Sequence, residues 1–291
     1  MVNNFIIGFF DLFLWLVKVL PYNILQLLIN VFSIFTTIIL KRYRVIASIN
    51  YRLIYNKEAG LVESFRITKN VFIILGMQSI DILTSIEKKY PNESFINKIY
   101  NISYLTEALN KGKGAIILSA HVGNFTMLNM ILGELGYPNC SMIMRGVKNQ
   151  NIEGKLNIIR EKAHIKFFNE SNTKKNTIVL AKYLKRKGIL IMLTDQRHIK
   201  GPPLYFFGKT KKTPLGPAIL SILTGAPIVP LFALRSKNGK SDIIIKKAIY
   251  TNDLDMNNES IRKISELTNN ILETFIRENF QQWLCLHRWW R

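Results

Sequence analysis

The stretch KGKGAIILSAHVGNFT, Lys111 to Thr126, sets the architecture of this chain. A Lys-Gly-Lys-Gly turn leads into Ala115 to Ala120 (AIILSA), a short run of apolar and small side chains that suits a strand buried on both faces. His121 follows directly. Gly123 allows a tight turn, and Asn124 has the short polar side chain of a helix N-cap. Asn124 to Leu135 then shows helical periodicity and stops at Gly136. A strand, a loop bearing a histidine and a helix form the unit on which open α/β sheets carry ligands and chemistry.

The same alternation extends downstream. Cys140–Met144, Ile165–Phe168, Gly188–Thr194 (GILIMLT), Pro227–Leu234 and Asp242–Lys247 read as strands, the last at a sheet edge because of Lys246 and Lys247. Ile152–Lys162, Thr173–Lys187, Pro214–Thr224 and Ser260–Glu278 read as helices. Upstream, Ala47 to Lys89 is charged and apolar at helical spacing, before the punctuation changes at Pro91. The expected fold is α/β, with a central, mostly parallel sheet flanked by helices and an N-terminal apolar membrane-anchoring helical segment. No internal repeat or low-complexity segment interrupts it.

Charge divides the chain in two. It holds 40 Lys and Arg against 19 Asp and Glu, a net +21 over 291 residues. Between Met1 and Leu40 the charged side chains are Asp11 and Lys18, which cancel. Residues 1–44 therefore read as membrane-anchoring apolar helices and 45–291 as the α/β domain. Phe5 to Leu20 suits a helix lying in the interface with Asp11 and Lys18 toward the headgroups. Pro21 ends it, and Asn23 to Leu40 gives a second helix about 27 Å long at 1.5 Å per residue, just short of a bilayer core. A buried hairpin capping a soluble core is the alternative. The start lacks the basic region of a secretory signal, and Lys41, Arg42 and Arg44 would meet an anionic cytoplasmic headgroup layer. Two cysteines, Cys140 and Cys285, form neither a disulfide framework nor a thiolate metal site and fit a reducing compartment. Nucleic acid is a poor fit, because no binding motif accompanies the charge.

Of four histidines, His121 is the one in a post-strand loop. Thr194-Asp195-Gln196-Arg197 ends the strand that starts at Gly188, so its side chains should gather at the same sheet edge. Phe206-Phe207-Gly208-Lys209-Thr210-Lys211-Lys212-Thr213-Pro214 sets cations before a helix start, the pattern of a phosphate site, though those lysines taken alone read better as a solvated basic loop.

In this order and spacing, SAHVGNFT, MRGVKN, MLTDQR, FFGKTKKTPLGPAILSILTGAPIVPLF and the terminal QWLCLHRWWR resemble the bacterial lipid A biosynthesis (lauroyl/myristoyl) acyltransferases of the lysophospholipid acyltransferase superfamily. The resemblance implies a cytoplasmic-face inner-membrane enzyme that moves a fatty acyl chain from acyl carrier protein, or acyl-CoA, to a hydroxyl of a membrane glycolipid such as a lipid A precursor. It implies no cofactor and no metal. By resemblance, His121 is the general base, Arg145 and Arg160 hold phosphates, and Asp195 and Gln196 match an Asp-Gln pair near the active site. Gly123, Asn124 and Lys209 join the expected substrate-binding set. Backbone N–H groups around Gly123, with Arg145, would stabilise the tetrahedral oxyanion. Leu128–Leu132 and Tyr205–Phe207 would line an acyl channel or belong to ordinary core.

The sequence departs from the family at the motif's centre. Thr126 stands where the family has the carboxylate that holds the imidazole, and a hydroxyl carries no charge to offset an imidazolium. Three readings follow: another carboxylate, Asp195 ahead of Glu134, takes over; the chain is a weak or inactive lipid-binding relative; or Thr126 is an introduced substitution. A lysophospholipid or a mannosylated inositol lipid is the alternative acceptor.

Overall fold

A computed structural model describes residues 2–87, 94–170, 173–198 and 200–290, with side chains of 2–6 and 173–176 not described. The expectations for Lys89, Pro91 and Arg291 lie outside these residues. Helices α1 (Val2–Val19), α2 (Tyr22–Ile39), α3 (Lys41–Tyr55) and α4 (Leu61–Ile86) come first. Then follow β1 (Ile96–Tyr100), α5 (Ile102–Asn110), β2 (Ala115–Ser119), α6 (Leu128–Glu134), β3 (Cys140–Met144), α7 (Gln150–Lys162) and β4 (Phe167–Asn169). The chain continues through α8 (Thr173–Lys185), β5 (Ile189–Leu193), β6 (Pro203–Phe206), β7 (Lys209–Lys212), α9 (Gly216–Thr224), β8 (Ile228–Arg235), β9 (Ser241–Ile245) and α10 (Asn258–Glu278).

Seven strands form one sheet in the order β1-β9-β8-β2-β5-β3-β4, parallel at every junction except β8–β9. The α/β class is as expected. β2 is buried throughout because helices cover both faces, and its side chains divide by alternation. Ile116 and Leu118 enter a core shared with α3, α4, α8, α9 and α10. Ala115 and Ile117 enter the opposite core with Leu105 of α5 and Leu128, Ile131 and Leu132 of α6.

Three expectations change. β9 is not an edge: it pairs with β8 on one side and β1 on the other, and β1, which lacked a clear apolar run, is the exposed edge. β6 and β7 make a separate antiparallel hairpin instead of a loop. Asn124 caps no helix, since its chain enters a 3-10 turn over Phe125–Met127 before α6 and its amide is used elsewhere.

The first two helices lie on the body. Val17 and Leu25 pack with Met77 and Ile80 of α4 in a third apolar cluster. Asp11 and Lys18 each have a partner on the body: Asp11 pairs with Lys155 of α7, and Lys18 with Glu87 at 3.5 Å. Their outer faces remain apolar, with Trp15, Leu27 and Phe35 each more than half exposed. Two helices among the described residues, Tyr22–Ile39 and Leu61–Ile86, have the length and composition to cross a membrane. They differ in surroundings, because 17% of the first span is buried against 39% of the second.

Candidate active site

Register brings the central pair together. β2 and β5 run parallel with Ser119 opposite Leu193, so the residues two beyond each strand, His121 and Asp195, leave the sheet side by side. His121 Nδ1 lies 2.8 Å from Asp195 Oδ1, and the backbone N–H of His121 donates to the same oxygen at 3.2 Å. The Trp283 indole N–H donates to Asp195 Oδ2 at 2.9 Å. Asp195 is 1% exposed, and burial pushes its carboxyl up. The opposing pulls of His121, the indole and the Lys211 ammonium prevail and hold it down at about 2. A buried carboxylate lacking such partners would cost several kcal/mol.

With Nδ1 tied to Asp195, Nε2 is the ring nitrogen turned away from the carboxylate. The imidazole lines a cleft of about 610 Å³ whose apolar wall includes Met142, Ile143, Leu156 and Ile159, with Phe125 edge-on to the ring at 4.9 Å. That wall comes from β3 and α7. Leu128 and Leu132 are instead buried beneath the sheet, and Phe206 and Phe207 pack on Trp289, so neither expected segment lines this cleft.

The loop is held from three directions. The Gly123 N–H donates to Gln282 O at 3.0 Å, and the Asn124 N–H to Ala233 O at 2.7 Å. Gly123 has φ +59°, and a Cβ there would sit 2.2 Å from Ala233 O, so glycine is required. The Gln78 amide of α4 donates to Gly123 O at 2.9 Å, and its oxygen accepts from the Thr126 N–H at 3.1 Å and from the Thr126 hydroxyl. Thr126 therefore faces the cleft but bonds to Gln78, not to His121. With the Val122 N–H donating to Ala120 O, all four N–H groups from His121 to Asn124 are engaged, and those expected to serve as oxyanion donors around Gly123 are committed to the fold.

The remaining expected residues divide. Arg145 and Arg160 both line the cleft, each already matched: Arg145 to Glu170 at 2.9 Å, and Arg160 to Glu153 at 2.6 Å while stacked over Phe167. Gln196 also lines it. Asn124 is fully buried, donating to Ser241 Oγ at 2.8 Å and accepting from Arg235, and is not part of the cleft wall. Lys209 is exposed on β7, and α9 begins only at Gly216, so the cation cluster forms no helix-terminal phosphate site. Glu134 accepts from Ser94 and from the Phe95 N–H, far in sequence and bonding from the dyad.

Trp283 and Gln78 escaped the sequence reading, and Lys211, expected among the cations of a phosphate site, lies elsewhere. Lys211 turns inward, donates to Thr194 O at 2.9 Å and sits 3.8 Å over the Phe206 ring. Burial drags its ammonium down to about 7 against the pull of Asp195 and Glu273. Trp283 lay inside a recognisable terminal block without a role. Gln78 carried only the weak signal of an amide in an apolar helix.

His121 and Asp195 thus form a hydrogen-bonded pair at the carboxyl ends of the parallel strands β2 and β5, and His121 lines a cleft that joins an apolar wall from β3 and α7 to the polar side chains of Arg145, Arg160 and Gln196. The chain belongs to the bacterial lipid A biosynthesis acyltransferase family, whose profile matches residues 1–291. A phosphatidylinositol mannoside acyltransferase of Mycolicibacterium smegmatis (strain ATCC 700084 / mc(2)155) is 27% identical over 135 residues. That match covers 46% of this chain and 44% of the relative, less than half of either.

Proposed function

We propose that this protein transfers a fatty acyl group from acyl carrier protein, or from acyl-CoA, to a hydroxyl of a membrane glycolipid such as a lipid A precursor. The observation that carries this reading is the His121–Asp195 dyad, whose imidazole lines a cleft with an apolar wall from β3 and α7. The acceptor hydroxyl gives its proton to His121 Nε2 as its oxygen attacks the thioester carbonyl. Asp195 stabilises the imidazolium that forms. The tetrahedral intermediate collapses with loss of the thiolate, which takes the proton from Nε2, leaving an ester and a thiol. Because the loop N–H groups are engaged, the oxyanion donor falls to a side chain, and Gln196, which lines the cleft beside the dyad, is the fitting one.

Asp195 supports activity in spite of Thr126. It occupies Nδ1, where the family carboxylate would otherwise be needed, and argues against an inactive lipid-binding relative. A mannosylated inositol lipid is the second acceptor reading, favoured by the relative's name. The acidic carrier and an anionic membrane both suit the net +21, and the apolar outer faces of α1 and α2 suit a cytoplasmic-face anchorage at the inner membrane. The test is transfer of labelled acyl chains by the purified full chain to a panel of acceptors: a lipid A precursor, a phosphatidylinositol mannoside and a lysophospholipid. His121→Ala should abolish transfer. Acylation of the lysophospholipid alone would refute the glycolipid acceptor, and wild-type activity in His121→Ala would refute the base.

A further inference from the structure

A second cavity, of about 410 Å³, adjoins the cleft that His121 lines and lacks its apolar wall from β3 and α7. It is lined by Arg42, Ile46, Gln196, Arg197, Leu286, His287 and Arg288. Its volume falls within the range of about 300–1,000 Å³ typical of small-ligand sites. Gln196 and Arg197 line both cavities, so the two meet beside the dyad. Three guanidinium groups and an imidazole converge there, and no carboxylate is among the described residues that line the space. The cleft differs in this respect, because Glu170 is part of its wall.

The elements that build this cavity are far apart in sequence and tied together. The Asn50 amide, fully buried midway along α3, donates to Cys285 O at 2.6 Å and to His287 O at 3.1 Å, fastening the C-terminal tail along the helix whose first turn carries Arg42. The Leu284 N–H donates to His121 O at 2.8 Å, so the same tail also braces the catalytic residue. His287 is near enough to His121, Asp195 and Arg197 to feel their charges. Arg42 lies one turn beyond the end of α2, where Ile39 and Val45 are more than half exposed and Arg44 donates to Ile38 O at 2.9 Å. The cations therefore sit at the boundary between an outward apolar surface and the basic body, the level of a lipid headgroup.

We infer that the cavity formed by Arg42, Arg197, His287 and Arg288 is a phosphate subsite that holds the headgroup of the acceptor lipid, orienting its hydroxyl toward His121 past Gln196. Arginine forks match phosphate oxygens, and an anion held there meets several positive charges at once. The inference rests on the acyl-transfer reading above for its orientation, but its binding step is separable from chemistry.

The test measures calorimetric binding of dihexanoyl phosphatidic acid and, separately, of coenzyme A to the full chain. Variants are Arg42→Ala, Arg288→Ala and, as a control for loss of one charge, Arg262→Ala on the exposed face of α10. Unfolding temperatures check the fold, and Arg42, exposed at a helix start, gives a variant whose folding is secure. Each of the first two should weaken phosphatidic acid binding about tenfold to a hundredfold, with coenzyme A and the Arg262→Ala protein unchanged. Weakened coenzyme A binding with phosphatidic acid unaffected would assign the cations to the donor and overturn the proposal. Unchanged binding of both probes would remove the subsite altogether. Arginine-dependent binding in a protein inert toward every acceptor would uphold the subsite and sink the acyl-transfer reading, so the two fail separately.

Discussion

Asp195→Asn preserves side-chain shape and removes the charge on which the dyad depends. Oδ1 accepts from the His121 backbone N–H as well as Nδ1, and Oδ2 accepts from the Trp283 indole. The backbone and indole nitrogens only donate, so an amide with one oxygen and one NH₂ must set donor against donor. With the NH₂ toward His121, Nδ1 becomes an acceptor, the proton moves to Nε2 and the base is lost. With the NH₂ toward Trp283, a buried indole N–H loses its acceptor, at about 1–3 kcal/mol, and the imidazolium still lacks its counter-charge. The carboxyl, held at about 2 against an ordinary 3.8, favours the charged form by something on the order of 2 kcal/mol. In serine proteases built on a Ser-His-Asp triad, the same aspartate-to-asparagine change costs roughly 10⁴ in turnover. A fall of about 10³ to 10⁴ in kcat is expected here, or about 4 to 5.5 kcal/mol of barrier. Asp195 does not line the cleft, so KM for either substrate should move less than about threefold. Steady-state transfer of a labelled acyl group would read both constants. A variant that keeps more than about a tenth of wild-type turnover, or whose loss lies in KM, would overturn this account of the dyad. The pH dependence of folding offers a second readout. A depressed carboxyl contributes stability that is complete above 3.8 and lost as pH falls through about 2, so wild type should lose stability across that window while Asp195→Asn stays flatter.

Three further outcomes follow from the same geometry. Gly123→Ala must push a Cβ onto Ala233 O at φ +59°, and should destabilise by about 2 to 4 kcal/mol, seen as a drop in Tm of roughly 5–10 °C. Thr126→Glu should leave turnover within about threefold of wild type, because Asp195 already holds Nδ1; a gain of tenfold would mean that the dyad is incomplete. Leu27→Glu and Phe35→Glu together, both on the exposed face of α2, should cut co-sedimentation with phosphatidylethanolamine–phosphatidylglycerol vesicles about tenfold or more while leaving Tm unchanged. Equal pelleting of variant and wild type would show that this face does not meet the bilayer.

Much of this protein was written in its sequence, for reasons of period and punctuation. The runs AIILSA and GILIMLT, almost wholly apolar, fit a strand covered on both faces, and β2 and β5 match them to within one residue at each end. β1 and the β6–β7 hairpin were not legible, since INKIY and KTKK lack a clear apolar face, and PLYF, whose Leu204 and Phe206 are buried on one side, is too short to show a period by itself. The site followed the same division. His121 and Asp195 were expected at one sheet edge, as two post-strand residues of a parallel sheet must be, and Thr126 stood out as the missing carboxylate. That Asp195 takes Nδ1 depended on the Ser119–Leu193 register, which no local pattern encodes. Lys209 and Lys211 are two residues apart in the same basic run, yet one is solvated and the other donates to Asp195 O from a buried position. Alternation along a strand does not separate them, since both stand on the same side of β7; the hairpin's packing against the body does. Short-range pattern was enough for the division of charge along the chain, the strand–loop–helix units and the residue types available for chemistry, all of which depend on neighbours within a few positions. It took the folded chain to place Gln78, Trp283 and the C-terminal tail around the catalytic loop, and to bring Arg42 and Arg288 to one cavity. Those contacts join residues far apart in the sequence, brought together by sheet order and helix packing that no short-range preference specifies.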